Sequence, residues 1–246
     1  MKSKLKPLDK YINEALYDKK NGYYANSLPF GKKGDFITSP YISVLFSEMI
    51  CIWTILFWKF LNSPRRFNII ELGAGDGEMM HRIIKSSKRF NDFNSSANFF
   101  IYEKSKKLIK LQKSKLSGLN VKWIESFKEL DRSSSLFLGN EFLDAFPIKQ
   151  FQKKGESWYE KYIKEGNKIN EIKDIKINLE KLEKKIGFKF SNHQKFIEIS
   201  LDQINLIKKI STHIKKTKGG LLFIDYGYRV EKMFNTLQSV KNHKSA

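Results

Sequence analysis

Three glycines at alternate positions, Gly73, Gly75 and Gly77, follow the apolar run Phe67-Asn68-Ile69-Ile70 and the acidic residue Glu71. An apolar run ending in a carboxylate and then in spaced glycines reads as a buried strand, a tight turn and a helix starting near Glu78. Glycine lets the backbone approach a ligand with no Cβ in the way, and the helix start offers free N–H groups. A turn of this kind at the carboxyl end of a parallel strand is where open α/β sheets bind nucleotides. The dinucleotide fingerprint G-x-G-x-x-G does not fit, because the third glycine comes one residue early and Glu78 stands where the last one should be. The phosphate loop G-x-x-x-x-G-K-[ST] is absent. Carboxylates at Glu71 and Glu78 would repel a pyrophosphate and suit a ligand with positive charge and no phosphate. S-adenosylmethionine, with its sulfonium and α-amino group, fits that description. A tight βα turn without a ligand is the alternative at this point.

Other polar residues fall at the ends of apolar runs. Glu103 closes Asn98 to Tyr102 and is placed to accept both hydroxyls of a ribose. Glu125-Ser126-Phe127 follows Val121 to Ile124, where Ser126 and Phe127 could flank an adenine ring. Asn140-Glu141-Phe142-Leu143-Asp144-Ala145-Phe146-Pro147 follows Leu136 to Leu138 and would face the methyl group. Asp225-Tyr226-Gly227 ends Leu221 to Ile224. Plainer readings accompany these: Glu141 as a helix cap, Asp144 in a surface ion pair, Asp35 holding its own loop, Tyr23 and Tyr24 as core packing. His81, His193, His213 and His243 show no partner pattern.

The elements that must position these groups are legible from periodicity. Leu8 to Tyr17 has helical spacing, and Asn21-Gly22 marks a turn. Residues 29 to 40 form a polar loop in which Ser39 caps, with Pro40 at its first position, a helix running to about Phe60. From Phe67 onward strands (Asn68 to Leu72, Asn98 to Tyr102, Val121 to Ile124, Leu136 to Leu138, Leu221 to Ile224) alternate with helices (Glu78 to about Arg89, Ser105 to Leu116). That alternation implies an α/β fold, a mostly parallel Rossmann-like sheet with helices on both faces. An insert occupies about Gln150 to Asp202; Glu156 to Tyr162 reads as one strand of a hairpin, and Lys164 to Lys185 as a solvated surface excursion. A helix from Leu201 to Lys216 ends at Gly219-Gly220. The expected division is a helical cap with a cofactor-covering loop over residues 1–64 and the sheet domain over 65–246.

Composition sets further bounds. The 246 residues carry a net charge of +20, but 40 of the 46 basic residues are Lys and 6 are Arg. Readers of bases and phosphates lean on Arg for its fork geometry, and these lysines are spread along the chain, so a nucleic-acid partner is not expected. The single cysteine, Cys51, lies in an apolar run and cannot form an internal disulfide, which suits a reducing compartment. One Cys and four scattered His give no zinc spacing. Ile42 to Leu61 is the most hydrophobic window, yet Glu48 in its middle argues for a globular core over a membrane span. Met1 to Pro7 has no apolar h-region, so a signal peptide is not expected. A cytoplasmic location suits this leaderless, A/T-biased chain in a bacterium, and the mitochondrial matrix in a eukaryote.

The sequence resembles the MidA-like class I methyltransferases, whose mitochondrial members are complex I assembly factor 7 proteins. The motifs that carry the resemblance are Ala15-Leu16-Tyr17-Asp18 with Gly22-Tyr23-Tyr24, Gly31-Lys32-Lys33-Gly34-Asp35-Phe36-Ile37-Thr38-Ser39-Pro40, and the Glu71 to Gly77 turn. The strings Asn140 to Pro147, Ile224-Asp225-Tyr226-Gly227-Tyr228 and Thr236-Leu237-Gln238-Ser239-Val240 complete it. The resemblance implies an S-adenosylmethionine-dependent protein arginine methyltransferase acting on a protein such as a respiratory complex I subunit; a homodimer is an arrangement the sequence leaves open. Carried over by motif, Gly73, Gly75 and Gly77 bind cofactor, Thr38, Ser39 and Pro40 lie over it, and Asn140 and Glu141 border the acceptor.

A guanidinium is always protonated in water, and carboxylates can bind it by a fork and leave one nitrogen nucleophilic. Glu141 and Asp144 are the expected catalytic pair. They share a face if Phe142 to Ala145 begins a helix, and Asp35, Asp225 and Tyr226 extend the acceptor site. One departure stands out: family members continue beyond Lys244-Ser245-Ala246, so the last two sheet strands are expected to be missing, with an exposed sheet edge. A non-catalytic assembly factor on the same fold is the rival reading. A nucleic-acid methyltransferase is a weaker one, since N/D-P-P-Y/F is replaced here by Asn140-Glu141-Phe142-Leu143.

Overall fold

Along Phe67–Leu72 every residue is buried, which a strand achieves only when both faces of its sheet are covered. The computed structural model describes residues 5–26, 40, 43–166, 170–228, 233–238, 240–241 and 244–245. In chain order its elements begin with β1 (Leu5–Pro7), α1 (Leu8–Tyr17), α2 (Tyr23–Asn26) and α3 (Val44–Phe60). They continue with β2 (Phe67–Leu72), α4 (Glu78–Ser87), α5 (Asn91–Ser96), β3 (Ala97–Tyr102), α6 (Lys106–Lys115), β4 (Val121–Ile124) and β5 (Ser134–Asn140). Next come β6 (Lys149–Lys154), β7 (Ser157–Lys164), β8 (Glu171–Ile177), α7 (Leu179–Ile186), β9 (Phe196–Ile199), α8 (Leu201–Thr217) and β10 (Gly219–Ile224).

The main sheet runs β10-β5-β2-β3-β4, and every neighbouring pair is parallel. Successive strand residues point to opposite faces. Phe67, Ile69, Ile101, Leu136 and Leu138 therefore pack with α3, α4 and Phe93 of α5 on one side. Ile70, Leu72, Phe100, Ile124 and Phe137 pack with Leu206 and Ile210 of α8 on the other. The expected α/β sandwich is the one observed, and β10 is an edge strand among the described residues.

The insert departs from expectation. Lys164 to Lys185 contains β8 and most of α7, not a solvated excursion. β6, β7, β8 and β9 form a second, antiparallel sheet whose core is Phe151, Ile186, Ile197 and Ile199. The segment reads as polar because β8 shows most of its side chains to solvent. β1 joins the same sheet, with Leu5 opposite Lys164 and Pro7 opposite Tyr162. Lys6, paired with Glu14 and Glu165, and Lys149, paired with Asp9 and Glu160, fasten the N-terminal segment to the insert.

The helix ending at Phe60 starts at Val44, capped by Ser43, whose hydroxyl accepts from the Leu45 N–H. Ser39, the expected cap, lies outside the described residues.

Candidate active site

The glycine turn leaves β2 with φ of 64° at Gly73, 56° at Gly75 and 89° at Gly77, all in the region that disfavours a side chain. Gly73 N–H donates to the Tyr102 carbonyl at 3.0 Å, tying the turn to the end of β3. A Cβ on Gly73 would lie 2.5 Å from Cδ2 of Phe142. The glycine thus lets the segment after β5 close against the turn.

The two carboxylates beside the turn behave differently from expectation. Glu78 faces Lys115 at 2.8 Å and Arg82 at 2.7 Å, and Lys115 also pairs with Asp76. Glu71 is buried, and that burial, with Asp76 nearby, pushes its carboxyl up to about 8. One carboxylate is balanced by two cations and the other holds a proton at neutral pH. Neither supplies the repulsion of a pyrophosphate that the sequence suggested. Only the glycine spacing speaks against a dinucleotide.

Glu103 stands at the end of β3. Its Oε1 accepts from the N–H groups of Lys104 (2.8 Å) and Ser105 (2.9 Å). Burial raises its carboxyl, and those backbone donors oppose the shift. Gln112, fully buried on α6, links this carboxylate to the turn. Its Nε2 donates to the Gly75 carbonyl at 2.9 Å and to Glu103 Oε2 at 3.4 Å, and its Oε1 accepts from the Trp123 indole at 2.8 Å. Sequence reasoning passed over Gln112. The signal available was a polar residue one turn after Leu108, on the buried stripe of α6. Ser126 and Phe127 follow β4 at the same edge. The Ser126 hydroxyl caps a 3-10 turn, accepting from the Lys128 N–H. The Phe127 ring packs against Tyr102 and Phe137, with centroids 5.0 and 5.1 Å apart.

After β5 the chain turns without forming the expected helix: Phe146 N–H donates to the Leu143 carbonyl at 3.2 Å. Glu141 sits at a φ of 47°, a strained position for a side chain and a frequent mark of a functional segment. Its N–H donates to the Ile224 carbonyl at 2.8 Å. Asn140 Nδ2 donates to Glu141 Oε1 at 3.3 Å. Asp225 accepts from the N–H groups of Leu143 (3.1 Å) and Tyr226 (3.0 Å), and the Tyr226 hydroxyl donates to Asp144 at 2.8 Å. The expected common helical face is replaced by a knot in which β10 holds the β5 turn. The protein packed around Asp144, opposed by the Tyr226 bond and aided by the Asp225 and Glu141 charges, pushes its carboxyl up to about 6 even though the residue reaches solvent.

Tyr17 and Tyr24 also reach this edge. Their rings stack at 5.3 Å, and the Tyr17 hydroxyl donates to the Ala145 carbonyl at 2.7 Å. Both phenols are raised, first by burial and then by nearby charges that include Glu103 and Asp144. The core-packing alternative for Tyr24 thus understates its position. The structure brings together Glu71, Gly73, Gly75, Gly77, Glu103, Asn140, Glu141, Asp144, Asp225 and Tyr226 at the carboxyl edge of the sheet. Asp35, Thr38 and Ser39 lie outside the described residues, and Pro40 is half-buried.

Two buried oxygens here lack a partner among the described residues, Glu71 Oε2 and Asn140 Oδ1. Buried polar atoms are rarely left so. An acceptor oxygen at Asn140 and a carboxyl that can ionise at Glu71 suit a ligand bearing an ammonium and a sulfonium, so the residues fit S-adenosylmethionine.

The sheet order β4-β3-β2-β5-β10, the glycine turn after β2 and the carboxylate ending β3 define a class I methyltransferase fold. A family model described as S-adenosyl-L-methionine-dependent methyltransferase matches residues 49–246, and the chain belongs to that family. Similar proteins include the Caenorhabditis elegans "Protein arginine methyltransferase NDUFAF7 homolog, mitochondrial", 30% identical over 253 residues, covering 91% of this chain and 58% of the relative. The Homo sapiens "Protein arginine methyltransferase NDUFAF7, mitochondrial" is 26% identical over 258 residues, covering 95% and 58%. The chain thus spans just under three fifths of the length of these two relatives. A Burkholderia thailandensis crystal structure bound to S-adenosyl-homocysteine superposes with a TM-score of 0.73 at 19% identity, covering 91% of this chain and 59% of that one. A native structure from the same organism gives 0.70 at 18% identity, covering 91% and 57%.

Proposed function

We propose that this chain binds S-adenosylmethionine at the glycine turn and transfers its methyl group to an arginine side chain of a protein, with a respiratory complex I subunit as the first substrate to try. The observation that carries the reading is the carboxylate cluster of Glu141, Asp144 and Asp225 beside Asn140, on the edge where the three left-handed glycines open.

The bound cofactor supplies an electrophilic methyl group on a sulfonium. The turn at Gly73, Gly75 and Gly77 receives its amino-acid end, aided by Glu71. Glu103 accepts the ribose hydroxyls, positioned by Gln112 and its own backbone donors. Ser126 and Phe127 border the adenine, and Pro40 covers the ligand. Glu141 grips the guanidinium, with Tyr226 lining its approach. Asp144, poised near neutrality, takes the proton the acceptor nitrogen sheds. Most of the rate gain is orientation of nucleophile and methyl.

The internal bonds of Asp144 and Asp225 favour a second reading, a non-catalytic assembly factor in which the carboxylates only brace the turn. No helix among the described residues is long and apolar enough to cross a membrane. A bacterial cytoplasm or a mitochondrial matrix is the location proposed.

Calorimetric titration with S-adenosylhomocysteine tests the cofactor site. Saturable one-to-one binding, lost in Gly75→Val, is expected; no binding by a folded sample would overturn the proposal. Methylarginine on candidate proteins, lost in Glu141→Gln at unchanged cofactor affinity, would separate the enzyme from the assembly factor.

A further inference from the structure

α3 is apolar almost all round, a composition found where a helix is enclosed on every side. Among the described residues only one side is covered. Ile50, Cys51, Ile55 and Trp58 enter the core, while Leu45 (61% exposed), Met49 (56%), Leu56 (58%) and Phe60 (78%), with Ile52 and Trp53, face solvent. These six lie on one stripe of the helix by the 3.6-residue repeat. Their exposed fractions correspond to on the order of 700 Å² of apolar side chain, beyond the usual largest patch of a monomer and close to the roughly 800 Å² per partner of a stable interface.

The stripe is palindromic. Centred between Ile52 and Trp53, an antiparallel copy of the helix places Leu45 opposite Phe60, Met49 opposite Leu56 and Ile52 opposite Trp53. Each pairing sets a larger side chain against a smaller or more flexible one. Two exposed charges flank the stripe on the same side, Glu48 near one end and Lys59 near the other. The same two-fold sets Glu48 of each copy on the same side as Lys59 of the other, two residues or about 3 Å apart along the axis, within reach of a lysine side chain. A surface that complements itself under a two-fold rotation is the signature of an isologous interface.

We infer that the exposed face of α3 docks a second copy of this chain, α3 against α3 in antiparallel register, with Glu48 and Lys59 exchanging ion pairs across the axis. None of the six stripe residues belongs to the cofactor or acceptor site proposed above, so this pairing is independent of the proposed activity.

The test is sedimentation of the full chain over a dilution series, with four variants. Wild type is expected to run as a dimer that dissociates on dilution, and Leu56→Asp as a folded monomer by circular dichroism. Glu48→Lys and Lys59→Glu each set like charges opposite one another twice per dimer, weakening association by roughly three- to tenfold. The double exchange Glu48→Lys with Lys59→Glu restores it. A wild type monomeric throughout overturns the inference, as does a double exchange no tighter than the single ones. Binding of monomers to anionic lipid vesicles, lost in Leu56→Asp, would also overturn it by assigning the face to a membrane surface.

Discussion

Glu71→Gln replaces a buried carboxyl by a neutral amide of the same shape. Glu71 is 3% exposed, and its carboxyl is raised from 4.5 to about 8. The folded chain therefore holds a proton that the unfolded chain releases above about 4.5. Because the native state binds that proton more tightly, the contribution to stability is greatest below pH 4.5. It is lost as pH rises and levels off above about 8. Between pH 5 and pH 7 the linkage relation gives a loss of roughly 2 to 3 kcal/mol. Glutamine cannot titrate, so the variant lacks this fall while still accepting the bond from the Met80 backbone. Urea unfolding of both proteins at pH 5, 6, 7 and 8 isolates the difference, since other titrating groups act equally on each. Wild type should lose about 2 to 3 kcal/mol more than the variant between pH 5 and 7. Parallel pH dependences would refute the reasoning and show that Glu71 ionises within the fold at an ordinary pH.

Gly73→Ala adds a methyl group at a left-handed φ and 2.5 Å from the Phe142 ring. A loss of roughly 2 to 4 kcal/mol in urea unfolding is expected, and a loss below about 1 would show that the ring yields freely. Gln112→Leu strips buried partners from Gly75, Glu103 and Trp123, for a loss of about 1 to 3 kcal/mol and weaker S-adenosylhomocysteine binding by calorimetry; unchanged affinity would disconnect Gln112 from the site. Tyr226→Phe removes the bond that favours ionised Asp144. The Asp144 carboxyl, followed by carbon NMR, should then titrate at a higher pH than in wild type, where it titrates near 6; a downward shift would contradict the geometry.

The main sheet was legible because its strands are continuous apolar runs ending in polar residues, a pattern local to each strand. Val121–Ile124 was bounded correctly from sequence, and β2 to within one residue. The second sheet was harder. Strand β1 is short and β8 solvent-facing, and the pairing of β1 depends on a partner distant in sequence. The grouping of glycines, Glu103 and the Asn140 to Asp144 segment at one edge followed from parallel topology. The turn conformation there did not, because the Asp225 carboxylate that holds the Leu143 N–H arrives 82 residues later. Gln112 and Tyr17 stayed hidden for a related reason: a buried Gln or a rim Tyr looks like any other helix residue until its partner is known.

The pairing of β1 with β7 has a consequence for how the protein comes into being. Leu5–Pro7 can enter its sheet only after Tyr162–Lys164 exists, a closure over some 155 residues that carries a loop-entropy cost and favours late formation. At usual rates of synthesis about 8 to 30 seconds separate the emergence of the two strands. During that interval α1, and with it Tyr17 and its bond to Ala145, has no sheet to anchor it. The tyrosine rim thus waits for β7, and Asp225 and Tyr226 after β10 arrive later still, so a nascent chain can form its glycine turn well before it has a finished acceptor side.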